Sequence, residues 1–180
     1  MTDQEIAQAC REGNREVQRQ LFDAHARLMM SVCLRYADSR QEAEDILQEG
    51  FIKVFERMHQ YENRGPLGGW IRTLMVNTAL NHIRKHKRWN HSMDIEAANH
   101  LDSDETDALS EMSANELMQL VNKMPKGYKT VFNLYAVEGF THSEIGDQLG
   151  ISENTSKTQF MKARGWMKKE LELLNKTVGQ

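Results

Sequence analysis

The sequence predicts an all-α fold of two small helical domains joined by a flexible acidic linker. Apolar residues recur at helical spacing along most of the chain, and no stretch alternates as a strand does. A length of 180 residues exceeds one typical small domain. An acidic segment separates two basic ones. We therefore predict domains at residues 1–88 and 109–180, with a linker at 89–108.

The charge distribution is more informative than the formal net charge of −3. Residues 63–93 contain no Asp or Glu, and residues 94–122 contain no Lys or Arg. The C-terminal part is basic again, at Lys157, Lys162, Arg164, Lys168 and Lys169. Two basic patches that flank an acidic segment are compatible with binding to nucleic acid at two places.

The first half of the chain predicts four helices. A short helix around residues 4–11 is closed by Gly13-Asn14, and a second runs on to about Tyr36. A third spans residues 41–59, and a fourth follows a turn and spans residues 68–86. The third helix carries an apolar stripe that must face a core: Ala43, Ile46, Leu47, Phe51, Val54, Phe55 and Met58. The inward residues predicted for the fourth are Trp70, Ile71, Leu74, Leu80 and Ile83.

The second half predicts two further helices, at 109–123 and 126–137, and then a helix-turn-helix. Thr141 and Glu144 form a capping box that starts a short helix, and Gly150 permits the left-handed turn that stops it. Ser152 can cap the next helix, whose polar and basic side chains could read a major groove. The alternative is an ordinary helical hairpin, which explains the caps but not the basic residues that follow.

Two helical surfaces of the first domain are candidates for binding. The third helix has an outward face formed by Asp45, Gln48, Glu49, Ile52, Lys53 and Glu56. Periodicity alone leaves open whether this face is solvated or docks a protein, although Ile52 is a plausible apolar anchor. The fourth helix carries Asn77 and Asn81 on one face and ends in a basic cluster. If this helix binds DNA, the asparagine amides could contact base edges and the basic cluster could bind phosphates. Alternatively, Trp70 is a core residue, and the basic end is a solvated helix terminus that interacts with the helix dipole.

Other chemistry is weakly indicated. We expect Cys10 and Cys33 to be buried thiols rather than a disulfide. His82 and His86 lie four residues apart and could hold a metal, but no third ligand is evident. No catalytic constellation occurs at a recognisable spacing, and no window is apolar enough for a membrane span. We therefore expect a soluble cytoplasmic protein that is not an enzyme, has no cofactor or metal, and does not insert into membranes.

The order of these segments resembles the extracytoplasmic-function sigma factors of bacterial RNA polymerase. Residues 44–53, EDILQEGFIK, are similar to the family segment that binds the β′ clamp helices of core polymerase. This implies a docking surface, formed by Asp45, Gln48, Glu49, Ile52 and Lys53. Residues 70–84 are similar to the segment that melts the promoter and reads its −10 element. This implies DNA contacts from Trp70, Asn77, Asn81, Arg84, Lys85, Lys87 and Arg88.

Residues 120–171 resemble region 4 of the family. In that region the second helix of the helix-turn-helix motif reads the −35 element. The match points to Thr155, Lys157, Thr158, Gln159, Met161, Lys162 and Arg164. Asn81, Ser156 and Gln159 differ from the residues that are usual in the family. The promoter sequences recognised by other members are therefore a poorer guide to those recognised by this protein. The implied partners are core polymerase, through its β′ clamp helices and β flap, promoter DNA and an anti-sigma factor.

Two other functional classes remain as alternatives. A helix-turn-helix regulator that binds DNA alone explains the second domain equally well, but not the basic segment with Asn77 or the acidic face with Ile52. A metal-dependent nuclease using His82 and His86 lacks accompanying carboxylates.

Overall fold

A computed structural model describes residues 1–85 and 114–178, and all the regular structure in these two ranges is helical. The all-α prediction is therefore confirmed. Contacts divide the chain into two compact units, residues 1–86 and 87–180. The predicted linker at 89–108 lies outside the described residues, as do His86, Lys87 and Arg88.

The first unit is built from helices that follow one another closely along the chain. They are α1 (Asp3–Arg11), α2 (Arg15–Tyr36), α3 (Arg40–Glu56), a 3₁₀ turn (Met58–Gln60) and α4 (Leu67–Lys85). Short polar side chains start the first three helices, because each accepts a hydrogen bond from a backbone N–H that the helix leaves unpaired: Thr2 for α1, Asn14 for α2 and Ser39 for α3.

Helix α3 ends earlier than the sequence suggested. It stops at Glu56 rather than His59, and the chain tightens into the 3₁₀ turn before Tyr61. The predicted apolar stripe is nevertheless directed inward. Ala43, Ile46, Phe51, Val54 and Met58 are buried, and Leu47 and Phe55 are half-buried.

Helix α4 is the central element of the first unit, because it packs against both α2 and α3. Of the predicted inward residues, Ile71, Leu80 and Ile83 are buried, whereas Trp70 and Leu74 are half-buried. Packing on two sides buries more of the helix than its periodicity indicated. The additional buried residues are Leu67, Met75, Val76, Thr78 and Ala79.

Two long-range contacts set the position of α4. The backbone N–H of Leu67, at the start of the helix, donates a 2.7 Å hydrogen bond to Oδ2 of Asp3 in α1. Further along, α3 and α4 approach so closely that a Cβ at Gly50 would lie 2.2 Å from Sδ of Met75. Glycine at this position therefore permits the close crossing.

The second unit contains α5 (Ala114–Lys123), α6 (Lys126–Phe132), a π-helical turn (Asn133–Val137), α7 (His142–Leu149) and α8 (Glu153–Val178). The single helix predicted at 126–137 is thus an α-helix followed by a π-helical turn. Helices α5 and α8 enclose an apolar core made of Leu120, Val121, Met124, Ala163, Met167 and Leu171. Helices α6 and α7 pack against α8 as well.

Candidate docking and DNA-reading surfaces

The outward face of α3 exposes an apolar residue among polar ones. Ile52 has 57% of its surface exposed, and Asp45 and Gln48 are exposed beside it. Such an exposed β-branched residue within a polar rim has the composition of a protein-binding patch.

Two members of the predicted docking set face partly inward. The ammonium of Lys53 donates a 2.6 Å hydrogen bond to Oε1 of Glu49, and the two side chains are only 21% and 35% exposed. Nζ of Lys53 also lies 3.5 Å from the hydroxyl of Thr78 in α4. The hydrogen bond from Lys53 lowers the pKa of Glu49, with further contributions from the charges of Lys53, Lys85 and His82. Helical periodicity placed both Glu49 and Lys53 on the outward face of α3, whereas in the structure both side chains are partly buried.

One face of helix α4 carries a stripe of solvent-accessible side chains. Trp70, Asn77, Asn81 and Arg84 are spaced i, i+7, i+11 and i+14, so they share a helical face. The first three are half-buried, and Arg84 is exposed. These four residues, which the family resemblance assigned to the −10 element, therefore lie along one line on the helix. Lys85, also assigned to the −10 element, is exposed beside the C-terminal end of this line.

Side-chain contacts define the state of each residue on this stripe. The ring of Trp70 packs on Tyr61 with centroids 5.6 Å apart, so it is anchored at one end rather than enclosed in the core. Oδ1 of Asn77 is buried without a hydrogen-bond partner. Asn81 accepts a hydrogen bond from Nη2 of Arg84. An unsatisfied buried carbonyl oxygen is costly, which makes Asn77 a position that the fold itself does not fully satisfy.

The two histidines considered as metal ligands give no support for a metal site. Nδ1 of His82 lies 3.4 Å from Oε1 of Glu42 in α3, and His86 lies outside the described residues. Within residues 1–85 and 114–178, no group of three His, Cys, Asp or Glu side chains has the arrangement to hold a metal. Cys10 and Cys33 are buried free thiols as predicted, and burial raises the pKa of Cys33 to about 12.

The helix-turn-helix has the geometry that its sequence predicted. The N–H of Thr141 donates to Oε2 of Glu144 at 2.8 Å, and the N–H of Glu144 donates to Oγ1 of Thr141 at 3.2 Å. Gly150 has φ of 70° and ψ of 34°. Oγ of Ser152 accepts from the N–H of Thr155 at 3.0 Å and starts α8. These local bonds fix the angle at which α8 leaves the turn.

A close backbone contact completes the turn. Gly146 is buried, and a Cβ at this position would lie 2.8 Å from the carbonyl oxygen of Ile151. That oxygen belongs to the backbone and cannot move without moving the turn. Glycine at position 146 is therefore required by packing, although its φ is ordinary.

The predicted −35 residues divide between the outer and inner faces of α8. Lys157, Thr158, Met161 and Arg164 are exposed, and Thr155 and Lys162 are half-buried. Gln159 is only 7% exposed, and its Oε1 has no hydrogen-bond partner. The outward orientation expected for Gln159 is not found, because this position lies on the side of α8 that packs inward.

Sequence reasoning missed a polar contact between α7 and the inner side of α8. Nδ1 of His142, in α7, lies 2.9 Å from the hydroxyl of buried Ser156 in α8. The His142 ring stacks on Tyr135 at 4.2 Å, and Phe160 packs against both rings. Burial lowers the pKa of His142, and the charge of Lys157 lowers it further. A serine in place of the usual apolar residue at position 156 was the available signal.

No helix within the described parts of the chain is both long enough and apolar enough to cross a bilayer.

Comparison with known proteins accounts for both units. The sigma-70 region 2 model matches residues 21–89, and the sigma-70 region 4 model matches residues 114–167. Together they cover more than half of the chain.

Curated relatives match over nearly the full length. An extracytoplasmic-function (ECF) RNA polymerase sigma-E factor of Haemophilus influenzae is 22% identical, with 97% of each chain covered. The ECF sigma factor SigW of Bacillus subtilis is 25% identical, with 89% of this chain and 92% of that protein covered.

One solved structure supports the fold. CnrH, determined in complex with the cytosolic domain of CnrY, aligns with a TM-score of 0.50 at 16% identity and covers 95% of this chain and 97% of that one. Matches to both region models, together with relatives that align over nearly the whole chain, establish the assignment. The chain belongs to the sigma-70 family and is an RNA polymerase sigma factor of the extracytoplasmic-function type.

Proposed function

We propose that this sigma factor docks on core RNA polymerase through α3 and contacts promoter DNA through α4 and α8. It acts as a dissociable specificity subunit in transcription initiation and not as an enzyme. The template and the polymerase are cytoplasmic in bacteria, so the protein acts there. The observation that carries the assignment is an accessible face of α4, because Trp70, Asn77, Asn81 and Arg84 lie along it while most apolar residues of the helix are buried.

The first unit supplies core binding and −10 reading in this proposal. Ile52, Asp45 and Gln48 are exposed and form the part of the docking surface that contacts the β′ clamp helices directly. Asn77 and Asn81 carry amides that can pair with base edges, and Arg84 and Lys85 carry charges for phosphate. Lys87 and Arg88 extend that basic end in sequence.

The second unit supplies −35 reading and the contact with the β flap. Exposed Lys157, Thr158, Met161 and Arg164 form the DNA face of α8, with Thr155 and Lys162 at its edge. Lysine and arginine bind phosphates, whereas the Thr158 hydroxyl and the Met161 side chain can contact base edges and thymine methyl groups. Gln159 is assigned an internal role because of its burial.

The direct test is transcription of genomic fragments by core polymerase with and without this protein, followed by mapping of the new start sites. We expect a discrete set of start sites that appears only when the protein is present. Identical start sites in both reactions would contradict the proposal. An anti-sigma factor remains a prediction from the family resemblance, and its test is co-purification from cells of the source organism.

The stand-alone helix-turn-helix regulator raised by the sequence explains α7 and α8 equally well, but it does not account for the sigma-70 region 2 match over the first unit. It leaves the exposed Ile52 and the α4 stripe without a role. The two functions differ in whether DNA binding requires core polymerase.

A further inference from the structure

Lys53 lies between the two candidate surfaces of the first unit. Its Nζ is 2.6 Å from Oε1 of Glu49 on its own helix and 3.5 Å from Oγ1 of Thr78 on α4. Thr78 is 1% exposed and directly follows Asn77. A single ammonium therefore contacts both the docking helix and the DNA-reading helix.

The burial of this pair distinguishes it from an ordinary surface ion pair. Arg40 and Glu44 form a comparable i,i+4 pair on the same helix, at 3.0 Å, but their side chains are 77% and 48% exposed. Exposed pairs of that kind contribute little and exchange freely with water. The side chain of Lys53 is only 21% exposed, so less water competes with its protein partners than at the Arg40–Glu44 pair.

The close crossing of α3 and α4 makes the contact possible. Gly50 has no side chain to hold the helices apart, and Met75 fills the space against it. Helices α3 and α4 run in opposite directions, because Gly50 meets Met75 and Glu42 lies 3.4 Å from His82. The Lys53 side chain points back along α3 toward Glu49, and this direction brings its Nζ to Thr78 on α4. The Thr78 hydroxyl is itself anchored, because it donates a 2.8 Å hydrogen bond to the carbonyl oxygen of Leu74.

We propose that Lys53 is a positioning residue for promoter reading: it holds Glu49 on the docking helix and, through Thr78, fixes the orientation of the α4 stripe at Asn77. This inference rests on the proposed function and changes the role assigned to Lys53. Lys53 acts across the helix interface rather than on the polymerase. The contacts of Lys53 thereby connect the docking surface on α3 to the base-reading residues on α4.

The central experiment compares core affinity with base discrimination for three variants. Lys53→Met keeps the aliphatic stem and removes the charge, Thr78→Val removes only the hydroxyl, and Arg40→Met removes the exposed pair as a matched control. The DNA probe is a promoter mapped in the transcription experiment, together with all single-base changes in its downstream element. Core affinity is measured separately by titration with fluorescently labelled protein.

We expect Lys53→Met and Thr78→Val to reduce the ratio between the best and worst downstream base by about tenfold, the value of one well-placed amide–base contact. The affinity of Thr78→Val for core polymerase should remain within about threefold of wild type, because Thr78 is buried on α4 and the docking residues of α3 are untouched. Lys53→Arg should restore part of the discrimination. Arg40→Met should match wild type in both measurements.

Two outcomes would overturn the inference. If Lys53→Met loses core affinity but keeps the wild-type ranking of bases, Lys53 is a docking residue. If both Lys53→Met and Thr78→Val behave like wild type, the Lys53–Glu49 pair is an ordinary solvated ion pair. If Lys53→Met fails to fold, Thr78→Val decides, because it leaves the ion pair intact.

A readout without polymerase separates this inference from the proposed function. The side-chain amide signals of Asn77 in the NMR spectrum of the full chain should shift in Lys53→Met and in Thr78→Val, but not in Arg40→Met. The pKa of Glu49 should rise toward its ordinary value in Lys53→Met only. Unmoved Asn77 signals refute the positioning role, whereas absence of promoter selection by the wild-type protein refutes only the proposed function.

Discussion

At the scale of single residues, Asn77 and Lys157 test how specificity and affinity are separated. An amide that pairs with a base edge contributes about 1–3 kcal/mol of discrimination. We therefore expect Asn77→Ala to change the ranking of downstream bases. In the proposed function Lys157 binds a DNA phosphate, so Lys157→Ala should weaken all promoters and lower the slope of the salt dependence by about one. Open-complex formation on promoters with every substitution in the downstream element measures both effects. Retention of the wild-type ranking by Asn77→Ala would make this residue structural.

The exposed isoleucine of α3 offers a second residue-scale test. Ile52→Asp should reduce affinity for core polymerase by about tenfold or more, because a charge would replace an apolar anchor at the interface. Its melting temperature should be close to that of wild type, since Ile52 lies off the buried stripe. Leu28→Asp is a matched control, because Leu28 is equally exposed at 57% but lies on α2. Equal affinity of the Ile52 and Leu28 variants would show that α3 is not the docking surface.

At the scale of elements, the packing of α7 on α8 depends on a neutral histidine. Burial lowers the pKa of His142, so the folded state binds a proton less readily than the unfolded state. The stability that it contributes is present above about pH 6.5, the ordinary value for histidine, and is lost as the pH falls below it. Ring-proton NMR titration of the full chain should give His142 a midpoint below 6.5, the ordinary value for histidine. A midpoint at or above that value would contradict the buried stacking.

The turn between α7 and α8 provides a test of backbone packing. Gly146→Ala should destabilise the second unit by about 1–3 kcal/mol, because the added methyl group meets the carbonyl oxygen of Ile151. Asp147→Ala is the control at the next position, where an exposed side chain should change stability by less than about 0.5 kcal/mol. Urea unfolding of the full chain, followed by amide signals of α8, measures both. Equal stability of the two variants would mean that the turn tolerates a side chain.

At the scale of the whole molecule, each unit presents only a small basic surface. The isolated protein should therefore bind duplex DNA weakly and with a strong salt dependence, and core polymerase should convert it to a sequence-specific binder. Gel-shift titration of a mapped promoter, with and without core polymerase, measures the difference. Tight, specific binding by the protein alone would favour the stand-alone regulator.

The sequence by itself determined the features that depend on neighbours within one helical turn. These are the helical class, the caps at Thr141 and Ser152, the left-handed turn at Gly150 and the apolar stripe of α3. Each arises from contacts between residues three or four positions apart, which the printed order displays directly. The family resemblance then followed from the order of such segments.

Only the tertiary structure decided which polar residues face inward. Asp3 accepts from Leu67 across 64 positions, Lys53 turns toward Thr78, and Ser156 meets His142. Gln159 is buried although its helix is otherwise polar at this end. The angle at which one helix crosses another determines which side of each is covered, and that angle depends on distant small residues such as Gly50. Periodicity within a single helix carries no record of it.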